Sequence, residues 1–185
     1  MWDLVQSVLG EVVDLHPSLQ IQHPTIRVID PQTMSIVESV RTDVPDIIDV
    51  VGTVTPSAVV SENTKLQAWF RRGQPSPGQP ALVWTINGEE GEIRLVSVGS
   101  FALHATAYSA PVTIEVRNSA TGHVERVGWS WADWQKELPI AARNVGALYE
   151  AFADRTDLPM QTFDSATKRL EQVYGILVAD DGKQI

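Results

Sequence analysis

The sequence lacks the features of several large classes of protein. None of its 185 residues is cysteine, so disulfide bonds and thiolate metal sites are excluded. It has 14 basic and 23 acidic residues and a formal net charge of −9, which argues against direct binding to nucleic acid. No apolar run approaches the roughly 20 residues that cross a bilayer, and the start lacks the basic segment of a signal peptide. We therefore expect a soluble protein of the cytoplasm or the nucleus that does not contact membranes.

Catalytic motifs are equally scarce. His16, His23, His104 and His123 do not stand at the spacing of metal ligands. The chain has no nucleophile elbow of the G-x-S-x-G type and no phosphate-binding lysine motif. "GEEGE" lies between two strand-like runs, whereas a dinucleotide fingerprint leads into a helix. The sequence therefore predicts no catalytic residue, no metal ligand and no cofactor-binding residue in this chain.

Two clusters leave alternatives open. The acidic segment 43–49 could perform general acid–base chemistry, but a solvated loop is the commoner explanation and the one we favour. Trp129, Trp131 and Trp134 could line a sugar site or anchor an interface. Core packing between the last strand and the first long helix is the alternative, and we favour it.

Strand signals dominate from residue 10 to about residue 129. In "KLQAWFRR" apolar and polar side chains alternate, so Leu66, Ala68 and Phe70 are predicted to share one face. The loops "NGEEG" and "NSATG" each join two strand-like runs, which predicts two antiparallel hairpins. Gly88 and Gly91 are expected to supply positive φ in the first of these loops.

The last quarter changes to a helical period. Apolar residues follow Pro139 at helical spacing, and a second amphipathic run begins near Asp164, with Thr162 or Asp164 as its cap. The pattern as a whole predicts a single α+β domain over residues 1–185, with a frayed tail at 180–185. In this fold a large, mainly antiparallel sheet has helices packed on one face.

The alternation of the strands and the start of the Pro139 helix also suggest residues for a cleft or an interface. The outward candidates on strands are Trp69, Arg71, Trp84 and Arg94, and the candidates at the helix start are Arg143 and Asn144. For the helix pair, contacts that only stabilise the helix start are an equally good explanation.

Four stretches in order resemble one known family. They are "VPDIIDVVGTV", "RRGQPSPGQPALVWTINGEEGEIRL", "ELPIAARNVGALYEAFAD" and "FDSATKRLEQVYGIL". Together they are similar to the C-terminal domain of the Gfo/Idh/MocA oxidoreductases, and within that family to the fungal branch that includes the galactose-pathway repressor. The resemblance covers essentially the whole chain.

The resemblance implies a partner domain that this chain does not contain. Full-length members begin with a Rossmann domain that binds NAD or NADP and carries a catalytic lysine, followed by an Asp/His pair. "WDLVQSVLGE" resembles the helix after that pair, so Asp3 matches the Asp just after the family His, which would stand immediately before Met1. By this resemblance the chain itself has no cofactor, and Asp3 is only a neighbour of the missing site.

Three functions follow as hypotheses. The leading one is a non-catalytic, oxidoreductase-like C-terminal domain that forms a homo-oligomer through its open sheet face or binds a protein partner. The alternatives are the C-terminal half of an NAD(P)-dependent sugar or polyol dehydrogenase, and a galactose-repressor-like regulator that acts through protein contacts. Loss of a docked Rossmann domain would bare an apolar patch near the first helix and the start of the Pro139 helix, so we expect self-association.

Overall fold

The computed structural model describes residues 2–73, 75–101, 110, 112–154 and 162–179. Contacts between residues divide the chain into two compact units. The terminal unit comprises Trp2–Gly73 and the segment from Gln161 onward, and the central unit runs from Gln74 to Met160. A single domain over 1–185 stays a prediction, and the tail at 180–185 lies outside the described residues.

The described residues form four α-helices and nine strands. The helices are α1 (Trp2–Leu9), α2 (Asp133–Lys136), α3 (Arg143–Asp154) and α4 (Phe163–Val178), and a 3-10 turn at Ile140–Ala142 precedes α3. The strands of the terminal unit are β1 (Val12–Gln20), β2 (Thr25–Ile29), β3 (Ile36–Arg41), β4 (Ile47–Val54) and β5 (Lys65–Arg71). The strands of the central unit are β6 (Leu82–Asn87), β7 (Gly91–Ser97), β8 (Val112–Asn118) and β9 (Val124–Val127).

Local signals set the ends of the helices. α1 stops at Gly10, which has a φ of 98° and donates its N–H to the Gln6 carbonyl at 2.9 Å. This left-handed residue is a common helix terminator because glycine has no Cβ to clash. At the start of α4 the Thr162 hydroxyl accepts a hydrogen bond from the Ser165 N–H at 3.1 Å. Thr162 is therefore the predicted cap, and Asp164 lies in the first turn.

The terminal unit has a sheet with strand order β1-β4-β5 and a separate β2–β3 hairpin, all antiparallel. The sheet packs its inner face into a core that also receives one residue from each of α1 and α4. The buried apolar residues of the unit are Val5, Val12, Leu15, Val50, Val54, Val60, Leu66 and Ile176. Gly52 lies inside this core, because a Cβ there would stand 2.6 Å from Val12 Cγ1.

The central unit has one antiparallel sheet with strand order β6-β7-β8-β9. Both predicted hairpins are present, but the expected role of Gly88 and Gly91 is wrong, since neither has a positive φ. Gly91 is required for another reason: a Cβ on it would clash with the Arg117 carbonyl of the neighbouring strand. The positive φ occurs in the second hairpin loop instead, at Gly122 with 69°.

The mixed α+β class and the antiparallel pairing are confirmed. Separately, no described helix has the length and apolar character to cross a bilayer. The strands are nevertheless distributed over three sheets in the described residues, where the pattern predicted one large sheet. Pro75, Pro77 and Pro80 lie between β5 and β6 and cannot donate ladder hydrogen bonds, so this segment interrupts the pairing. The short helix α2 had no clear sequence signal.

Candidate interaction surfaces

Asp3 lies in the first turn of α1 and joins that helix to α4. Its carboxylate forms an ion pair with Arg169, whose side chain is 13% exposed. Ser7 Oγ donates to the Asp3 backbone carbonyl at 2.8 Å. A second ion pair, between Lys168 Nζ and Glu11 Oε2 at 3.1 Å, links α4 to the same end of the chain. Asp3 therefore has a structural role in this chain.

A pair of amide side chains completes this helix contact, and sequence reasoning missed it. Gln6 is buried, and its Nε2 donates to Gln172 Oε1 at 2.8 Å. Gln6 Oε1 accepts from the Val12 N–H at 3.1 Å, and Gln172 Nε2 donates to the Val12 carbonyl at 2.9 Å. Trp2 Nε1 also donates to Gln172 Oε1, at 3.1 Å. β1 is an edge strand, so one side of its backbone has no neighbouring strand. The two amides supply hydrogen bonds to the N–H and the carbonyl of its first residue, Val12, on that side.

Trp69 and Arg71 lie on the outer face of the terminal sheet, as the alternation predicted. Trp69 is 63% exposed and stands opposite Asp49 of β4. The same face carries polar pairs, such as Lys65 Nζ donating to Thr53 Oγ1 at 2.7 Å. A large exposed indole among polar side chains is the kind of residue that anchors protein interfaces.

Trp84 and Arg94 lie on opposite faces of the central sheet. Trp84 stands opposite Leu95, while Arg94 stands opposite Thr85 on one side and Glu115 on the other. Alternation within each strand had marked both residues as outward, but the pairing of β6 with β7 separates them. The two residues therefore cannot contribute to one surface patch.

The face that contains Trp84 is apolar, and we call it the apolar sheet face. It is formed by Leu82, Trp84, Ile86, Ile93, Leu95, Val112, Ile114, Val116 and Val127. These side chains are half-buried or exposed, with Ile93 at 42% and Val127 at 38%. Ser97, which is fully buried, and Glu125 lie on the same face at its margins. A mostly apolar surface of this kind usually marks an interaction site.

The opposite face of the central sheet is largely charged. Arg126 pairs with Glu115 at 3.8 Å, and Arg117 pairs with Glu92 at 4.0 Å. Both pairs join neighbouring strands. A face that carries cross-strand ion pairs is suited to water, so the two faces of this sheet differ clearly in character.

Arg143 is committed to local structure at the start of α3. Its Nε donates to the Leu138 carbonyl and its Nη2 to the Lys136 carbonyl, both at 3.2 Å. Its guanidinium also lies 5.6 Å from the centre of the Trp131 ring, a cation–π distance. Asn144 is exposed, and its side chain makes no hydrogen bond within the described residues. For Arg143 these contacts match the structural alternative that the sequence left open.

The three clustered tryptophans make packing contacts. Trp129 and Trp131 meet edge to face with ring centres 5.8 Å apart, and Trp129 Nε1 donates to the Val112 carbonyl at 3.1 Å. Trp134 packs so closely on α3 that a Cβ at Gly146 would stand 3.1 Å from its ring. Trp129 and Trp134 are nevertheless 42% and 39% exposed, so the cluster makes local packing contacts but is not part of a core.

α3 turns an apolar stripe outward. Val145, Leu148, Tyr149 and Phe152 recur at helical spacing and are between 51% and 72% exposed. Their spacing places them on one side of the helix. Apolar residues are also exposed at the two places where a patch was predicted, with Val8 on α1 and Ile140 ahead of α3, but a joint patch stays a prediction.

Asp46 is the main electrostatic feature of the terminal unit. Its carboxylate accepts hydrogen bonds from the Gln22 N–H at 2.6 Å and the His23 N–H at 2.8 Å, and His23 Nδ1 lies 2.6 Å from the same group. The Gln22 hydrogen bond is the largest cause of a lowered pKa for Asp46, while burial opposes it. Asp46 thus fixes the chain between β1 and β2, and the solvated-loop interpretation is wrong for this residue.

The remaining candidate sites are those for a metal ion and for a dinucleotide. No group of three or more His, Asp or Glu side chains in the described residues could hold a metal ion, and His104 lies outside those residues. The "GEEGE" segment joins two antiparallel strands, so it lacks the helix whose N-terminus binds pyrophosphate. This segment therefore does not have the geometry of a dinucleotide fingerprint.

The fold and its surfaces define a mixed domain in which antiparallel sheets carry few helices. A family model for the C-terminal domain of Gal80p matches residues 1–97. The chain belongs to this Gal80p C-terminal-domain family.

Solved structures give the same fold. A super-repressor mutant of Gal80p from Saccharomyces cerevisiae matches with a TM-score of 0.67 and 18% identity, over 99% of this chain and 46% of that one. The transcriptional regulator Gal80p from Kluyveromyces lactis matches with a TM-score of 0.63 and 15% identity, over 94% of this chain and 40% of that one. This chain thus spans less than half the length of these proteins. No curated protein sequence matches it.

Proposed function

We propose that this chain is a galactose-repressor-like regulatory domain that works through protein contacts and contributes no catalytic group or cofactor site. We place it in the cytoplasm or the nucleus. NAD or NADP, if a longer relative uses it, would be held by the polypeptide of another domain. Family membership supports the regulatory part of the proposal, and the apolar sheet face supports the part that concerns contacts.

The apolar sheet face is the observation that carries the proposal. The central sheet has nine apolar side chains on one face and ion pairs on the other. Half-exposed apolar area is worth about 25 cal/mol per Å² when it is covered. A second copy of the chain offers the same face and would make a symmetric contact. We therefore infer that the chain forms a homo-oligomer through this face.

A matched pair of lysine substitutions tests the oligomer. Ile93 lies on the apolar sheet face and is 42% exposed, while Val83 lies on the opposite face and is 46% exposed. Ile93→Lys should convert the oligomer to monomer in sedimentation experiments, and Val83→Lys should leave it unchanged. Circular dichroism of both variants separates dissociation from unfolding. A wild-type chain that stays monomeric at high concentration would overturn the oligomer.

Calorimetry with the cofactors tests the non-catalytic part separately. Titration with NADH and with NADPH should give no heat of specific binding. Saturable micromolar binding of either nucleotide would support the alternative of a dehydrogenase half. That result would reject the absence of a cofactor site, whatever the state of association.

A further inference from the structure

We propose that Asn87–Gly88, at the tip of the β6–β7 hairpin, is a site of spontaneous deamidation that adds a negative charge and alters the backbone there. It is the one Asn-Gly dipeptide in the sequence. Asn87 is exposed at the end of β6, and its side chain makes no hydrogen bond within the described residues. Glycine in the following position leaves the attacking nitrogen without steric hindrance.

The reaction needs only groups of the chain and water. The Gly88 nitrogen, after losing its proton to a base in solution, attacks Cγ of Asn87 and forms a C–N bond. The bond from Cγ to the amide nitrogen breaks, and ammonia leaves with a proton from water. One water molecule then opens the cyclic imide at either carbonyl, which gives an aspartyl or an isoaspartyl linkage.

The local structure opposes this reaction by a single hydrogen bond. The Gly88 N–H donates to the Gly91 carbonyl at 2.8 Å, and this bond must open before the nitrogen can attack. It closes an exposed hairpin end, where local opening requires little free energy. The hairpin therefore slows the reaction without preventing it.

Asn118–Ser119, at the tip of the next hairpin, provides an internal control. Asn118 Oδ1 accepts hydrogen bonds from the N–H groups of Ala120 and Thr121, both at 3.0 Å. The Ser119 N–H, which would be the nucleophile, donates to the Glu90 carbonyl at 2.8 Å. Both reacting groups are thus held, so this site should react much more slowly than Asn87.

The product would disturb a hairpin end that is already acidic. Asn87 stands opposite Glu92, and the loop contains Glu89 and Glu90. A carboxylate in place of the amide puts like charges opposite each other, which destabilises a strand pair. The isoaspartyl form also lengthens the backbone by one methylene and so breaks the pairing of Asn87 with Glu92.

Peptide mapping of the aged, folded chain tests the proposal. Trypsin releases Asn87 in the peptide 73–94 and Asn118 in the peptide 118–126. After incubation at mildly alkaline pH, the first peptide should contain isoaspartate, detected by mass spectrometry and by isoaspartyl methyltransferase, and the second should not. Gly88→Ala should strongly reduce the product, because a Cβ hinders attack by the residue 88 nitrogen. It should not unfold the hairpin, because that Cβ meets only the Gly91 carbonyl at 3.6 Å.

Two outcomes would overturn the proposal. One is equal modification of both peptides, which would mean that hairpin geometry does not control the reaction. The other is modification of the free synthetic peptide 73–94 with none in the folded chain, which would mean that the Gly88 hydrogen bond protects the site fully.

Discussion

The two units of this chain bury their apolar residues very differently. In the terminal unit, eight apolar residues from α1, the three-stranded sheet, the loop after β4 and α4 are buried. In the described part of the central unit, Ala151 is the one buried apolar residue. The terminal unit therefore has a core of its own, whereas the central unit has an ordered sheet whose apolar face is half exposed.

The difference indicates that the terminal unit contributes most to folding stability and that the central unit is better suited to association. A core of Val, Leu and Ile residues supplies most of the free energy of folding. A sheet that leaves its apolar side chains half exposed gains less free energy from folding. It gains further free energy when another surface covers those side chains. We expect substitutions to be costly for folding in the terminal unit and costly for association in the central unit.

Gly91→Ala should be as destabilising as the loss of a core leucine, although Gly91 lies in the central unit, so it is an exception to this expectation. The new Cβ would clash with the Arg117 backbone carbonyl, which cannot rotate away as a side chain can. Forced backbone shifts of this kind cost about 3 kcal/mol. Urea unfolding measures the loss, and Gly88→Ala is the control, because its Cβ would be 3.6 Å from the nearest atom. Equal stability of the two variants would contradict the prediction.

The second prediction compares the two units directly. Leu15 is 4% exposed in the terminal core, so Leu15→Ala should lower the free energy of unfolding by roughly 3 kcal/mol. Leu95, on the apolar sheet face, is only half-buried, so Leu95→Ala should lower it by about 1 kcal/mol. Thermal or urea unfolding at low protein concentration checks both values, since association would stabilise the wild type. If Leu95→Ala is as destabilising as Leu15→Ala, Leu95 is packed as tightly as a core residue, and the contrast between the two units is wrong.

Much of the fold could be predicted because the signals are local. The stop of α1 at Gly10, the Thr162 cap and the two hairpins follow from residues within a few positions of each feature. The opposite faces of Trp84 and Arg94 could not be predicted, because alternation gives the face only within one strand. The pairing across the Glu89–Glu90 loop decides how the faces of two strands combine.

The contact between the chain's first and last helices was also beyond sequence reasoning. Gln6 and Gln172 are 166 positions apart, and neither has a neighbour pattern that distinguishes it from a surface glutamine. Asp46 was missed for a similar reason, since its partners Gln22 and His23 stand more than 20 positions away. The candidate surfaces therefore needed the tertiary structure, although the sequence pattern alone singles out Trp69, Arg71 and Trp84 as outward residues.

Gln172→Ala should have an intermediate effect on stability. It tests how much the contact between α1, α4 and β1 contributes to the terminal unit. The substitution leaves the Val12 carbonyl and the Gln6 and Trp2 donors without their present partner. Unpaired polar groups at a partly buried site cost about 2 kcal/mol in all. Hydrogen exchange should show faster opening of α1 and β1, with the central sheet unchanged. Gln67→Ala is a suitable control, because Gln67 is exposed on the outer sheet face. Within the described residues its side chain makes a single long hydrogen bond, to Asp49 Oδ1 at 3.5 Å.

Asp46→Asn should have a smaller effect than the substitutions above, and that effect should depend on pH. Hydrogen bonds from Gln22 and His23 lower the pKa of Asp46 in the folded chain. A carboxyl with a lowered folded pKa adds stability that is complete above its unfolded pKa of about 3.9 and is lost as the pH falls through the folded pKa. The wild type should therefore exceed Asp46→Asn in urea midpoint at about pH 7 and progressively lose that advantage as the pH falls below about 3.9.

Asp30, in the turn between β2 and β3, offers the control for this pH dependence. Its pKa is also lowered, but within the described residues its carboxylate accepts hydrogen bonds only from its own turn. Its Oδ1 accepts from the Gln32 N–H at 2.8 Å, and an asparagine oxygen can accept the same bond. At neutral pH, Asp30→Asn should thus change the urea midpoint less than Asp46→Asn. Asp46 joins the start of β4 to the segment between β1 and β2, so its loss should also speed hydrogen exchange at Gln22 and His23. If the two variants behave alike, Asp46 is an ordinary turn residue, and the terminal unit depends for its stability on apolar burial and the α1–α4 contact alone.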